Sequence, residues 1–337
     1  MAAKTVVVAG GTGFIGGALA QNLSRHRFKV LSTTRAYEPH APGQVPWHIL
    51  ERHGLPEDTY AVVNVTGSSI ASPYRRWDSE FMEEIRHSRI SPTQQLVKMI
   101  QAAPRKPKVW ISTSGVSFYG ADKGKEFSED SPAGNADEFF VKLAVDWEKA
   151  AQLPADIGVR QVIVRLGAVV GRTGGLVKYS FWPTFFGVGG ALGTGAHFMP
   201  WIHIDDAAEL FVELVKNEKA SGVFNGVAPE QIQQRDFARS FARGFYPPRP
   251  SFCSIPANVV KLIFGDERAD MLLSSQRVSP KRTLESGFQF KHGNIREATK
   301  EVARVFLHDD EAIRPGSIMG KWFTVYDKRQ IDTGGAA

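Results

Sequence analysis

Five short stretches of the chain are continuously apolar and rich in β-branched residues: Thr5–Ala9, Lys29–Thr33, Tyr60–Val65, Lys108–Thr113 and Arg160–Leu166. Apolar runs without alternation are the pattern of parallel strands buried on both faces. Three segments between them, Phe14–Arg25, Ser79–Ala102 and Ala136–Gln152, repeat their apolar residues at helical spacing with charge in between, as helices packed by one face do. Strand and helix alternate, and βαβ order of this kind predicts an α/β fold with a doubly wound parallel sheet.

Beyond about Gly167 the pattern changes. Glycine and aromatic residues dominate through Gly171–Gly175, Phe185–Gly190 and Gly193–Gly195, which reads as loop. A strand at Trp201–Ile204, a helix from Asp205, a strand-like Gly222–Asn225 and helices near Arg235–Arg243 and Ala257–Phe264 then suggest a smaller C-terminal lobe. The expected division is a Rossmann core over 1–167, a mixed region over 168–308 that adds core elements and carries a substrate lobe, and a partly mobile tail over 309–337.

Composition narrows the classes. A chain of 337 residues, 42% apolar, buries a sizeable core, and its formal charge of +6 comes without the run of like charges that makes a nucleic-acid arm. Cys253 is the only cysteine, so no internal disulfide forms. The nine histidines include no pair at i, i+4 and have no thiolate cluster to assist them, so no metal site is expected. No apolar stretch reaches the roughly 18 residues of a membrane span, and the N-terminal run leads straight into a glycine turn rather than a cleavage site. A soluble intracellular protein follows, cytoplasmic by default, with an organelle left open.

The strongest motif is Gly10-Gly11-Thr12-Gly13-Phe14-Ile15-Gly16, because it follows a buried strand and opens an amphipathic helix. Gly10 permits a tight turn, Gly13 admits a pyrophosphate to the backbone, and Gly16 lets helix and strand pack closely. The helix N-terminus adds free amides and a positive partial charge. The second strand ends Leu31-Ser32-Thr33-Thr34-Arg35, with no acid to receive a ribose 2′-hydroxyl. A guanidinium there suits a 2′-phosphate, so the expected cofactor is NADP(H), with Arg35 alternatively a plain solvated charge.

Further along, Asn64-Val65-Thr66-Gly67, Arg75-Arg76-Trp77 through Glu84 to Ser88-Arg89, Trp147-Glu148, Pro200-Trp201-Ile202-His203-Ile204-Asp205-Asp206 and Phe224-Asn225-Gly226 occur in order. With Gln276-Arg277-Val278 and Gly287-Phe288, they make residues from about 4 to 305 resemble the atypical, epimerase-like branch of the extended short-chain dehydrogenase/reductases. The resemblance implies an NADP-binding protein of the oxidoreductase or epimerase kind acting on an unidentified small molecule. It matches Thr34 and Arg35 to the 2′-phosphate segment, Val65 and Thr66 to the turn after the next strand, and Val169 to a segment near the nicotinamide. It also implicates Glu84 and Arg89, which read from the residues alone are equally well ordinary helix charges.

Chemistry is less legible. Ordinary members of that superfamily move a proton with a tyrosine tuned by a lysine four residues on, but here Glu138-Phe139-Phe140-Val141-Lys142 occupies the helix. The single Tyr-x-x-x-Lys match, Tyr119 to Lys123, lies among glycines. Ser114, where a strand ends, and Tyr119 are the candidates for proton transfer, each with a structural alternative in a loop cap or a packed ring. Asp205 and Asp206 beside His203 read as helix caps. Two functions stay open: an NADPH-dependent enzyme with its substrate between the sheet edge and the loops over 171–197, or a non-catalytic NADPH-binding protein that presents a surface to a protein partner.

Overall fold

The computed structural model describes residues 3–70, 75–122, 124–251 and 253–303. The expected tail and Lys123 lie outside them. Seven parallel strands form the central sheet: β1 (Thr5–Ala9), β2 (Lys29–Thr34), β3 (Gln44–Pro46), β4 (Thr59–Asn64), β5 (Val109–Gly115), β6 (Arg160–Leu166) and β7 (Gly222–Gly226). Their spatial order is β7-β6-β5-β4-β1-β2-β3, so the winding reverses between β1 and β4. That reversal opens a crevice at the carboxyl ends of the strands, where ligands of doubly wound sheets bind.

Helices α1 (Phe14–Arg25), α2 (Trp47–His53), α3 (Ser79–Ala102) and α4 (Phe139–Ala150) connect the first six strands; α5 (Gly175–Phe185) and α6 (Ile204–Lys216) lead to β7. Alternation along β1 splits the core. Val6 and Val8 pack with Leu19 and Leu23 of α1 and Phe211 of α6, whereas Val7 and Ala9 pack with Leu50 of α2 and Leu96 and Ile100 of α3. Both faces are covered by apolar side chains, which explains why the strands carry no polar alternation. Among the described residues no helix is long and apolar enough to cross a membrane.

Among the described residues the remaining helices are α7 (Gln234–Gly244), α8 (Ala257–Phe264), α9 (Asp266–Leu273), α10 (Lys281–Glu285) and α11 (Ile295–Val302). Three differences from the sequence expectation have physical causes. Gly222–Gly226 pairs with β6 as the seventh strand of the main sheet, so it belongs to the core and not to a separate lobe. The stretch read as loop contains α5, which is apolar nearly all round and gives no amphipathic period; Phe181, Trp182 and Phe185 pack with Phe241 and Phe245 as core. Helix α4 starts at Phe139 because the preceding residues are spent on a turn, with the Asn135 carbonyl accepting from Glu138 N–H and its side chain accepting from Asp137 N–H.

Candidate functional site

The loop after β1 is fixed by its glycines. Gly10 has φ +81°, and a Cβ there would lie 2.9 Å from the Val65 carbonyl oxygen; a Cβ on Gly16 would lie 2.0 Å from the Gly10 carbonyl oxygen. The loop therefore sits hard against both the turn after β4 and the first turn of α1. Gly10 N–H donates to Thr33 Oγ1 at 3.0 Å, and Gly13 N–H to the Gly10 carbonyl at 2.9 Å. No side chain caps α1, so the amides of its first turn, at Phe14, Ile15 and Gly16, remain available to an anion.

A cavity of about 670 Å³ lies over this loop. Of the residues singled out from sequence, Gly10, Thr12, Gly13, Thr34, Arg35, Val65, Thr66 and Glu84 line it. They converge from the ends of β1, β2 and β4 and from α3, which is the strand-order reversal again. Thr66 is held by Asn64, whose Oδ1 accepts from Thr66 N–H at 3.1 Å and from its hydroxyl at 2.7 Å, while Asn64 Nδ2 donates to Thr93 Oγ1. Sequence reasoning missed the far wall: Trp47 and Glu51 of α2 and His87, Ser88, Ser91 and Gln95 of α3. The polar spacing along α3 carried a signal, since Glu84, His87, Ser88, Ser91 and Gln95 share one helical face. Trp47 and Glu51 come from a helix the periodicity did not show.

Phe14, Ile15, Arg89 and Val169 stand behind or away from that wall. Phe14 lays its ring on the 171–175 turn, where a Cβ on Gly174 would fall 2.4 Å from the ring. Ile15 packs into the core. Arg89 is buried, and its guanidinium donates to the carbonyls of Ile85 and Ser68 at 3.1 and 3.0 Å. Burial lowers its pKa to about 10, which leaves it charged at neutral pH. It thereby pins the 67–68 segment that lines the cavity. Glu84 pairs with Arg75 at 2.8 Å in an exposed ion pair. Val169 is buried in a short strand, Ala168–Gly171, paired with Trp201–His203.

Neither Ser114 nor Tyr119 lines the cavity. Ser114 is buried with an Oγ that has no hydrogen-bond partner. Tyr119 lies in a 3₁₀ turn over Val116–Tyr119; its hydroxyl donates to Asn225 Oδ1 at 2.7 Å and accepts from Arg165 Nη1 at 3.0 Å. Arg165 in turn binds Glu148 of α4 through two bonds of 2.7 and 2.8 Å. Burial raises the Tyr119 phenol above its usual range, with Arg165 pulling the other way. Phe139 and Phe140, at the superfamily's catalytic helix, pack on Trp77 at ring distances of 5.7 and 5.5 Å, and Lys142 is exposed. At α6 the expected aspartate cap is replaced: His203 Nδ1 accepts from Asp205 N–H at 3.2 Å, and Asp206 instead accepts from the amides of Lys291 and His292.

Residues 6–225 match the NAD dependent epimerase/dehydratase family, and 255–302 match a domain of unknown function. The chain is 41% identical over 297 residues to the human epimerase family protein SDR39U1, covering 88% of this chain and 99% of that protein. It is 33% identical over 310 residues to an Arabidopsis thaliana relative, the chloroplastic SDR39U1 homolog, covering 88% of this chain and 86% of that one. The crystal structure of human SDR39U1 (isoform 2) with NADPH superposes with a TM-score of 0.84 at 41% identity, over 89% of this chain and 99% of the human one. Matched over most of its length in sequence and in fold, the chain belongs to the NAD dependent epimerase/dehydratase family.

Proposed function

We propose that this chain binds NADPH in the 670 Å³ cavity and serves as an NADP(H)-dependent oxidoreductase or epimerase-like protein for a small molecule. The observation that carries the reading is the convergence of the uncapped α1 N-terminus, the Gly10–Gly13 loop and Arg35 on one cavity. In this reading the pyrophosphate lies on the free amides of the first turn of α1, and Thr34 and Arg35 hold the 2′-phosphate through charge-assisted bonds. The adenine lies toward Trp47 and Gln95, whose side chains already bond each other at 3.0 Å. Arg89 acts as a positioning residue through Ser68. The NADPH bound to the human relative supports the cofactor. When bound, NADPH would supply a hydride; this chain's own residues bind it, orient it and shield it. Titration of the protein with NADPH and NADH tests the reading: tighter NADPH binding is expected, and equal affinities would remove Arg35 from the site.

A second reading is favoured by one observation. Among the described residues no tyrosine lines the cavity, and the hydroxyl of Tyr119 is already committed to Asn225 and Arg165. A protein that binds NADPH without turning over a carbonyl, and presents a surface to a partner, fits that arrangement. The location we assign is intracellular; the chloroplastic relative in Arabidopsis keeps an organelle in view, and imaging of the tagged full chain decides between the compartments.

A further inference from the structure

Far apart in sequence, His203, Asp205, His292 and Glu301 meet at one point, with one ligand atom from each within 4.8 Å of all the others. His203 ends the Trp201–His203 strand, Asp205 stands in the first turn of α6, His292 follows on a loop, and Glu301 lies in the last turn of α11. Glu301 Oε2 is 3.5 Å from His203 Nε2 and 3.3 Å from His292 Nε2, and Asp205 Oδ2 is 3.6 Å from His292 Nε2. A tetrahedral ion with bonds of about 2.0–2.1 Å sets neighbouring ligand atoms about 3.3 Å apart. Three of the six ligand pairs stand near that spacing, at 3.3 to 3.6 Å, and one ligand atom from each residue lies within 4.8 Å of the rest.

We propose that these four residues form a binding site for a divalent transition-metal ion of the zinc class. A second observation points the same way: His203 is 1% exposed, and neither its Nε2 nor that of His292 has a hydrogen-bond partner. Two carboxylates balance a doubly charged cation, and imidazole with carboxylate is a donor set that zinc accepts. One bond is given up. His203 Nδ1 accepts the Asp205 amide proton, which leaves the ring proton on Nε2; ligation through Nε2 moves that proton to Nδ1 and releases the cap, an interaction far weaker than a structural zinc site. Asp205 and Glu301 are each about half exposed, at 47% and 46%, and provide the entry path. Four protein ligands close the coordination sphere, and none of them lines the dinucleotide cavity, so the ion staples α11 and the 291–292 loop to the start of α6.

The experiment treats the full chain with chelator and titrates zinc chloride by calorimetry and thermal unfolding, with magnesium chloride as control. One zinc per chain, a raised melting temperature and no effect of magnesium are expected. The double variant Asp205→Asn/Glu301→Gln replaces exposed carboxylates by isosteres and is expected to lose at least tenfold in zinc affinity, as is His292→Gln, with NADPH affinity unchanged. The zinc-dependent shift is read against each variant's own zinc-free melting point, so a lower baseline does not mimic the result. Absence of saturable one-to-one binding, or equal zinc affinity in the double variant, overturns the proposal.

Discussion

Arg35 and the glycines of the first loop act one residue at a time, and each makes a different prediction. Arg35 is exposed at the end of β2 and lines the cavity beside Thr34. A charge-assisted hydrogen bond contributes about 1.5–3 kcal/mol, so Arg35→Ala is expected to weaken NADPH roughly tenfold or more and to leave NADH almost unchanged, measured by calorimetric titration. The glycines separate binding from folding. A Cβ at Gly16 meets the Gly10 carbonyl at 2.0 Å, backbone that cannot swing aside, so Gly16→Ala should lower the melting temperature before any ligand is added. At Gly13 the nearest atom to a Cβ is 3.2 Å away and φ is −81°. Gly13→Val should therefore stay folded and lose NADPH, because its methyl groups fill the pyrophosphate's space; a folded variant that keeps its affinity would refute close approach there.

Between elements, burial decides which ion pairs count. Arg165 on β6 is 5% exposed and Glu148 on α4 13%, with a bidentate bond between them and the guanidinium 3.4 Å above the Phe118 ring. Burial opposes the charge on Arg165, and the Glu148 carboxylate together with Tyr119 more than offsets it. Glu148→Ala strands a buried cation and should cost about 3–5 kcal/mol in denaturant unfolding, whereas Glu84→Ala, which breaks an exposed pair with Arg75, should cost less than about 1 kcal/mol. The elements that hold these pairs were legible in sequence to very different degrees. β1 and β6 announced themselves as unbroken apolar runs because both faces of the sheet are covered. By contrast, β3 has three residues and the C-terminal pairings Ala191–Leu192 with Ser254–Ile255 have two each, too short for any periodicity. The cavity floor was readable because its chemistry is contiguous, Gly10 through Gly16 and Thr34-Arg35. Its far wall at Trp47 and Gln95, and the meeting of His203 with His292, exist only once α2, α3 and the 291–292 loop are folded into place.

For the whole molecule, the question is whether a cofactor cavity and a proton donor have been brought together. The fold sets the glycine loop at the strand-order reversal but directs the candidate phenol into the interior, where Tyr119 ties its own 3₁₀ turn to β6 and β7 through Arg165 and Asn225. Because burial raises its pKa, the folded chain holds the Tyr119 proton more tightly than the unfolded chain does. That stabilisation is whole below about pH 10 and is lost as pH rises through the folded value. Tyr119→Phe should thus flatten the alkaline fall in melting temperature relative to the unmutated chain. It should also cost about 1–3 kcal/mol at neutral pH, since Asn225 Oδ1 is left buried without its donor. The same variant separates the two functional readings. General acid catalysis contributes about 10²- to 10⁴-fold, so with the phenol locked in this network turnover of sugars and alcohols is expected to be slow, and Tyr119→Phe should leave both that rate and NADPH affinity as they were. A rate that falls by that factor in Tyr119→Phe, with NADPH affinity intact, would mean the network opens during the reaction and the phenol is the acid; fast turnover unaffected by the substitution would assign the proton to Ser114, water or the substrate.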